Sequence, residues 1–272
     1  MLVILLQARL SKVSAVPQLD SAAPALSSAI IIGRFASITS GEETGFEVDS
    51  ALGKFFSVWS EAEQANVIWI GFFEGLTAVI IFILTMIVFT WQYKKKYKGL
   101  FEGSTTLCFM VSYGLSQALL ESMRSDSLFM ITLGFVRIDQ IISILLAVSA
   151  IVIIFLQNIN LCKFSISTCI YIIIIAAALT TAIICEFSLN ATYLTQIYLL
   201  MFLSLAVMWI ISARLFLVNI KKRSEKYIYG KKKAIKRHSL NAGSNQSASH
   251  LDRLSDSFAE SLIADINDSV PF

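Results

Sequence analysis

The sequence predicts an all-α protein, a polytopic membrane helix bundle with about five to six membrane segments and a cytoplasmic C-terminal tail. The 272 residues are 56% hydrophobic and only 15% charged, and their mean hydropathy is +0.71. The apolar residues fall in runs as long as the roughly 20 residues that a helix needs to cross a bilayer. Only three prolines interrupt the chain, and its unbroken helical pattern excludes a barrel of short alternating strands.

The apolar runs define the elements in chain order. A first segment, 19–36, is short and polar enough that we expect it to pack within the bundle or to span only in part. The runs that meet the length requirement outright are 67–91, 104–122, 138–157 and 194–218, and 166–186 is almost as clear. The second of these, 104–122, has polar interruptions.

Lysine and arginine in the short loops predict the orientation. The segment 92–99 carries four lysines and 219–237 carries nine basic residues, whereas 39–66 carries six acidic residues and one lysine. We therefore expect the basic segments in the cytoplasm and the acidic loop outside. No cleavable signal peptide is evident, so the expected location is the plasma membrane, with the C-terminus in the cytoplasm.

The stretch "YGLSQALLESMRSDSL" (113–128) places polar side chains on one stripe of a membrane helix. Tyr113, Gln117, Glu121 and Arg124 are four, four and three residues apart, a spacing that puts them on one helix face. The predicted orientation brings Glu121 and Arg124 close to the outer leaflet. A structural pair between these two residues, with an arginine that reaches the interface, is the alternative to a functional site.

Three further charged residues are expected at the same depth. Glu74 lies near the start of the run 67–91, about two helical turns below the expected outer surface of the membrane. Arg34 lies near the end of the segment 19–36, and Glu42 follows eight residues later. Ionisable residues cost roughly 2.5–3.5 kcal/mol each within a membrane and are functional candidates by default. Guanidinium groups suit phosphate oxygens, so the first hypothesis is binding or chemistry of phospholipid head groups.

Four blocks of sequence then resemble bacterial prolipoprotein diacylglyceryl transferase. "IGRFASITSGEETGFEV" (32–48) resembles the family signature G-R-x-G-N-F-x-N-x-E-x-x-G, and "GFFEGL" (71–76) is similar to its Tyr-Glu stretch. The stretch 113–128 resembles the family segment Y-G-x-x-R-F-x-x-E-x-x-R-x-D, and "FVRIDQIISIL" (135–145) resembles the start of its final helix. The blocks follow the order of the family.

The resemblance implies a transferase of lipoprotein biosynthesis in the bacterial plasma membrane. Such an enzyme moves the diacylglyceryl group of phosphatidylglycerol to the lipobox cysteine thiol of a prolipoprotein signal peptide. Phosphatidylglycerol, that signal peptide and the membrane are the implied partners, with no nucleic acid. The implied catalytic residues are Arg34, Glu42 and Glu121, and the implied phosphatidylglycerol-binding residues are Arg34, Ser37, Glu74, Tyr113, Gln117 and Arg124.

Several positions depart from the family pattern. Gln117 stands where the family has an arginine, Phe73 stands for its tyrosine, and the family's N-terminal helices and His-Gly-Gly motif have no counterpart. The chain is therefore interpreted as N-terminally truncated or as a degenerate homologue, with weak or no transfer but retained lipid binding. Two alternatives remain open: a non-catalytic homologue that binds phospholipid or signal peptides, and a small membrane transporter component.

No metal or cofactor is expected. The four cysteines occur singly, and both histidines lie in the tail, which leaves no ligand cluster in the membrane part. The predicted organisation is a transferase-like membrane core at 1–160, an additional helical hairpin at 161–220, and a tail at 221–272 that is first basic and then polar and disordered.

Overall fold

The structure is a computed structural model, and it consists mainly of helices. It describes residues 2–12, 14–40, 44–47, 57–60, 64–94, 100–124, 132–133, 136–162, 166–188 and 194–241. The helices of this part of the chain are α1 (Leu2–Ser11), α2 (Ala15–Ser40), α3 (Ile70–Tyr93), α4 (Ser104–Ser122), α5 (Ile138–Cys162), α6 (Ile166–Phe187) and α7 (Leu194–Asn241). The predicted all-α membrane bundle is confirmed.

Five segments of the described chain are long and apolar enough to cross a membrane. They are Ala15–Ala36, Ile70–Tyr93, Ile138–Leu161, Ile166–Phe187 and Gln196–Lys231. The first is longer than the short segment 19–36 that the sequence predicts. Helix α4 was predicted to meet the length requirement for a membrane segment outright. It is not among these segments, because hydroxyl and amide side chains lower its hydropathy. The protein is nonetheless a multi-pass membrane protein.

Helix α4 lies at the centre of the bundle. It packs against α2, α3, α5 and α7, and most of its residues are buried, including the polar Ser112, Gln117 and Glu121. Gly114 allows α5 to approach closely, because a Cβ added there would lie 2.5 Å from the backbone oxygen of Ser143. Small residues at helix contacts are typical of membrane bundles.

The outer surface of the bundle is apolar. Large side chains such as Ile83 on α3, Ile173 on α6 and Leu203 on α7 are at least half exposed. Lipid tails are as apolar as these side chains, so such a surface is suited to a bilayer and not to water.

Short strands accompany the helices at one end. β1 (Thr44–Glu47), β2 (Ser57–Ser60) and β3 (Ala65–Trp69) form an antiparallel sheet with β3 in the middle, and β4 (Thr132–Leu133) pairs with β5 (Val136–Arg137). These strands are not predicted from the sequence, in which the second apolar run begins at residue 67. Helix α3 begins at Ile70, because the fully buried Val67 and its neighbours belong to the central strand β3.

Buried amides connect α5, α6 and α7 away from this sheet. Asn158 Nδ2 donates to Asn219 Oδ1 at 2.9 Å, and Asn219 Nδ2 donates to the Ile154 carbonyl at 3.0 Å. Thr168 Oγ1 on α6 donates to Asn158 Oδ1 at 3.4 Å. Beyond Asn219, α7 continues to Asn241, through the basic part of the predicted tail. Residues 242–272 lie outside the described part.

Candidate functional site

A salt bridge joins α2 and α3 at the end of the bundle that carries the sheet. Arg34 Nη1 lies 2.8 Å from Glu74 Oε2. Arg34 lies near the carboxyl end of α2 and Glu74 near the amino end of α3, and the two helices pack together in antiparallel directions. The side chain of Glu74 is only 1% exposed, so its charge depends on this arginine.

Gln117 extends the same network to α4. Its Nε2 donates to Glu74 Oε1 and to Glu121 Oε1, both at 3.1 Å. The spacing of four residues along α4 places Gln117 and Glu121 on one face, as the sequence predicts. The amide is therefore held between two carboxylates that come from different helices.

Two arginines contact Glu121. Arg124 Nη1 lies 3.3 Å from Oε1, and Arg137 Nη1 lies 3.5 Å from Oε2. Arg137 also binds the backbone at the end of α4, since its Nη2 donates to the Arg124 carbonyl at 2.6 Å. We call Arg34, Glu74, Gln117, Glu121, Arg124 and Arg137 the polar network.

Backbone pairing from the strands supports the carboxyl end of α4. Gly45 of β1 forms an isolated antiparallel bridge with Arg124. A Cβ at Gly45 would lie 2.9 Å from Ile70 Cγ1 and 3.1 Å from the Met123 carbonyl, so only glycine fits there without a shift. On the other side, Tyr198 of α7 donates its hydroxyl to the Ser122 carbonyl at 2.8 Å and stacks on Phe46 at 5.1 Å.

The charges of the polar network differ in accessibility. The side chains of Arg34, Arg124 and Arg137 are 21%, 16% and 12% exposed, whereas those of Glu74 and Glu121 are 1% and 6% exposed. The carboxylates are therefore positioned to orient the arginines, and the reachable part of the network is cationic. Such an arrangement suits an anionic ligand with several oxygens.

The structure brings together most of the residues that the sequence selects, though not all. Arg34, Glu74, Gln117, Glu121 and Arg124 form one network, and Tyr113 lies near it, within electrostatic range of Arg34 and stacked on Phe109. Ser37 lies on α2, but its side chain is outside the described part of the structure, as is the whole of Glu42. Within the described residues, no group of three or more His, Cys, Asp or Glu could hold a metal ion.

Arg137 was not predicted from the sequence as a site residue, although it contacts Glu121 as Arg124 does. Arg137 does not belong to the stripe on α4, because the β4–β5 hairpin carries it. A signal was present, since the predicted orientation places the start of the run 138–157 at the outer surface. Arg137, immediately before this run, therefore lies at an expected depth similar to that of Glu74.

An apolar groove of about 700 Å³ runs beside the network, with α4 as its floor and α3 and α7 as its walls. Ile68, Phe73 and Met123 line the end near the network, and Ala206 and Trp209 line it on α7. The charged side chains do not line it, although Met123 is the residue before Arg124. A second cavity, of about 210 Å³, shares Leu84, Ser112 and Trp209 with the groove and extends it to Trp91 and Ile220.

The fold and the polar network define a multi-pass membrane protein with a cationic site at one end of its bundle and an apolar groove beside it. The family model described as prolipoprotein diacylglyceryl transferase matches residues 1–156. The chain belongs to this family. The matched region contains α1 to α4 and most of α5, and therefore the whole polar network.

Curated relatives carry the same description. The phosphatidylglycerol–prolipoprotein diacylglyceryl transferase of Streptococcus equi subsp. zooepidemicus (strain MGCS10565) is 30% identical over 142 residues, which are 52% of each chain. The protein of the same name from Streptococcus pneumoniae (strain JJA) is 29% identical over 144 residues, 52% of this chain and 51% of the relative. The chain thus spans about half the length of the curated relatives it matches. No solved structure matches it significantly.

Proposed function

We propose that the protein binds phosphatidylglycerol at the polar network and transfers its diacylglyceryl group to the cysteine thiol of a prolipoprotein lipobox. The observation that carries the proposal is a cationic network, built by the part of the chain that matches the family, beside an apolar groove. The proposed location is the bacterial plasma membrane. The network then faces the outer leaflet, and the C-terminus lies in the cytoplasm.

The arginines provide the proposed head-group site. Arg34 belongs to α2, and Arg124 lies two residues after the end of α4. Both keep partial exposure, while Glu74 and Glu121 hold their guanidinium groups in place. A guanidinium forms parallel hydrogen bonds to phosphate oxygens and stays charged at every relevant pH. Tyr113, Gln117 and Ser37 are proposed to add neutral hydrogen-bonding groups around the head group.

The groove provides the proposed acyl-chain site. Its volume of about 700 Å³ falls within the ~300–1,000 Å³ typical of ligand pockets. Its lining is apolar, and its rims include the exposed Ile80 and Phe202, so it opens to the surroundings of the bundle. A diacyl lipid with its phosphate at Arg124 has its chains next to Met123, where the groove begins.

The proposed chemistry is a displacement at the carbon of the diacylglyceryl group that is bonded to a phosphate oxygen. The cysteine sulfur forms a bond to that carbon, the carbon–oxygen bond breaks, and glycerol phosphate leaves with the electron pair. Arg34 and Arg124 stabilise the negative charge that grows on the leaving phosphate. The thiol proton passes to a carboxylate, for which Glu121 and Glu42 are the candidates.

Gln117 favours a second candidate function, a non-catalytic phospholipid-binding protein. An amide cannot offset the charge of a phosphate, and here both Nε2 hydrogens of Gln117 are donated to carboxylates. Removal of one hydrogen-bond donor from a site that stabilises a developing negative charge typically lowers the catalytic rate by ~10²–10³. Lipid binding without measurable transfer is the outcome that this candidate predicts.

One experiment tests both candidates. The purified chain in phosphatidylcholine nanodiscs is supplied with labelled phosphatidylglycerol and a lipobox peptide, and lipid binding and peptide labelling are measured separately. Selective binding with labelled peptide supports the transferase. Selective binding without labelled peptide supports the non-catalytic protein, and equal binding of phosphatidylglycerol and phosphatidylcholine contradicts both.

Paired variants then test Arg34. Because Arg34→Ala alone would remove the arginine from the buried carboxylate of Glu74, the test compares Glu74→Gln with the double variant Arg34→Gln, Glu74→Gln. The single variant is expected to retain selectivity, since Arg34 remains. The double variant is expected to lose about tenfold or more in phosphatidylglycerol affinity. Arg214→Gln, on the exposed surface of α7, is the matched control.

A further inference from the structure

We infer that Trp209 of α7 limits the length of the acyl chain that the groove holds, and so selects among phosphatidylglycerols by chain length. This role rests on the proposed function, since the acyl chain belongs to the lipid whose phosphate is proposed to lie at Arg124. Trp209 lies outside the residues 1–156 that match the family.

Trp209 lies at the boundary between the groove and the second cavity. Leu84 of α3, Ser112 of α4 and Trp209 of α7 line both of these spaces. The indole Nε1 of Trp209 donates to Ser112 Oγ at 3.1 Å. This hydrogen bond joins the α7 wall of the groove to its α4 floor, and it satisfies the polar end of a large apolar ring. The ring is therefore held where the two spaces meet.

The boundary lies about one acyl-chain length from the polar network. Met123 lines the groove beside Arg124, and Ser112 stands eleven positions before Met123 in the chain. At about 1.5 Å per helical residue, these two positions are about 16 Å apart along α4. The hydrocarbon core of a bilayer is about 30 Å thick, so the chains of one leaflet extend over about 15 Å. A chain that begins at the head-group site therefore reaches Trp209 with its methyl end.

The space beyond Trp209 can hold further methylene groups. The second cavity has a volume of about 210 Å³, and its lining includes the apolar Leu107, Val111 and Phe216. Transfer from lipid tails to such a lining contributes little free energy, because both are apolar. Dispersion contacts with the walls then decide which chain lengths fit. A longer chain gains those contacts in the second cavity only if the indole ring lets it pass.

The test measures the affinity of the full chain for distearoyl-phosphatidylglycerol relative to dimyristoyl-phosphatidylglycerol, in phosphatidylcholine nanodiscs of one composition. Trp209→Ala opens the boundary and is expected to raise this ratio about threefold or more. Ala213 lines the second cavity but not the groove, so Ala213→Trp added to Trp209→Ala should return the ratio to its native value. Trp59→Ala, at an exposed tryptophan of β2, is the matched control and leaves the ratio unchanged.

Ser112→Ala tests the same boundary without removing the ring. It takes away the acceptor of the indole N–H, so the ring is held less firmly. The ratio should rise in the same direction as in Trp209→Ala, by a smaller factor. Because this variant removes a single oxygen atom, it decides the question even if Trp209→Ala does not fold.

Each other result counts against the role of Trp209 in a distinguishable way. A native ratio in Ser112→Ala and in any folded Trp209→Ala protein, with phosphatidylglycerol still preferred to phosphatidylcholine, overturns this role and leaves the proposed function standing. A raised ratio that persists after Ala213→Trp places the longer chains outside the second cavity and also contradicts it. No preference for phosphatidylglycerol in the native chain overturns the proposed function and the role of Trp209 with it.

Discussion

Asp20 of α2 binds the amino-terminal end of α4 through Thr106. Asp20 Oδ1 accepts a hydrogen bond from the Thr106 backbone N–H at 2.9 Å and another from its hydroxyl at 2.8 Å. The second oxygen accepts from the Gly103 N–H at 2.6 Å and from Gln92 Nε2 at 2.7 Å. The four donors, together with the positive end of the helix dipole of α4, compensate for the burial of this carboxylate.

This cap predicts a large loss of stability in Asp20→Ala. The variant leaves the buried donors of Thr106 and the partly buried N–H of Gly103 without their acceptor, at a cost of about 1–3 kcal/mol for each buried unsatisfied group. We expect the apparent melting temperature, followed by tryptophan fluorescence in detergent, to fall by ~5 °C or more. Asp139→Ala, at an exposed carboxylate, is the matched control. Equal melting temperatures for the two variants would show that the cap contributes little.

The amide pair predicts non-additive effects of substitution. Asn219→Leu alone leaves the buried Asn158 Nδ2 without its acceptor, and it should destabilise the protein by about 1–3 kcal/mol. Asn158→Leu combined with Asn219→Leu replaces both partners by apolar groups, so the double variant should be less destabilised than the sum of the single variants. Thermal unfolding of the four proteins measures the coupling. Strict additivity would contradict the assigned contact.

The groove predicts a steric effect on lipid binding. Ala206→Trp adds a large side chain to the groove, whereas Ala177→Trp adds the same side chain to the exposed surface of α6. We expect Ala206→Trp to lower phosphatidylglycerol affinity about tenfold or more through excluded volume, and Ala177→Trp to leave it unchanged. Equal affinities in nanodiscs would place the acyl chains elsewhere.

The orientation predicts which residues a membrane-impermeant thiol reagent can reach. Single cysteines replace the exposed Trp59 of β2, Tyr93 at the end of α3 and Tyr229 of α7, in a chain without its native cysteines. Reagent added to intact cells should label position 59, and it should label positions 93 and 229 only after lysis. Labelling of position 229 in intact cells would reverse the orientation and place the polar network at the inner leaflet.

The sequence predicts the helices well because apolar runs of membrane length have few other folded forms. It also predicts the polar face of α4, since the spacing of Gln117 and Glu121 is a local property of a helix. The start of α3 was harder to predict from the sequence. Residues 67–69 of β3 and the start of the helix that follows form one apolar stretch, in which strand and helix cannot be told apart by hydropathy.

Long-range contacts explain what the sequence did not predict. Asp20 meets Thr106, 86 positions further along the chain, and no local pattern around Asp20 indicates a cap for another helix. Arg137 reaches Glu121 by way of a two-residue strand pair, whose geometry depends on tertiary packing more than on propensity. The functional roles of Arg34, Glu121 and the other site residues stay predictions until binding is measured.

The open side of the groove determines whether the concentration of lipid in the bilayer or in water controls its occupancy. Its rims carry the exposed Ile80 and Phe202, so a lipid can reach it by lateral diffusion without passing through water. Occupancy then follows the mole fraction of that lipid in the bilayer. Under the proposed function, diluting phosphatidylglycerol with neutral lipid at a constant amount of protein is expected to lower occupancy. Adding more bilayer of the same composition is expected to leave it unchanged.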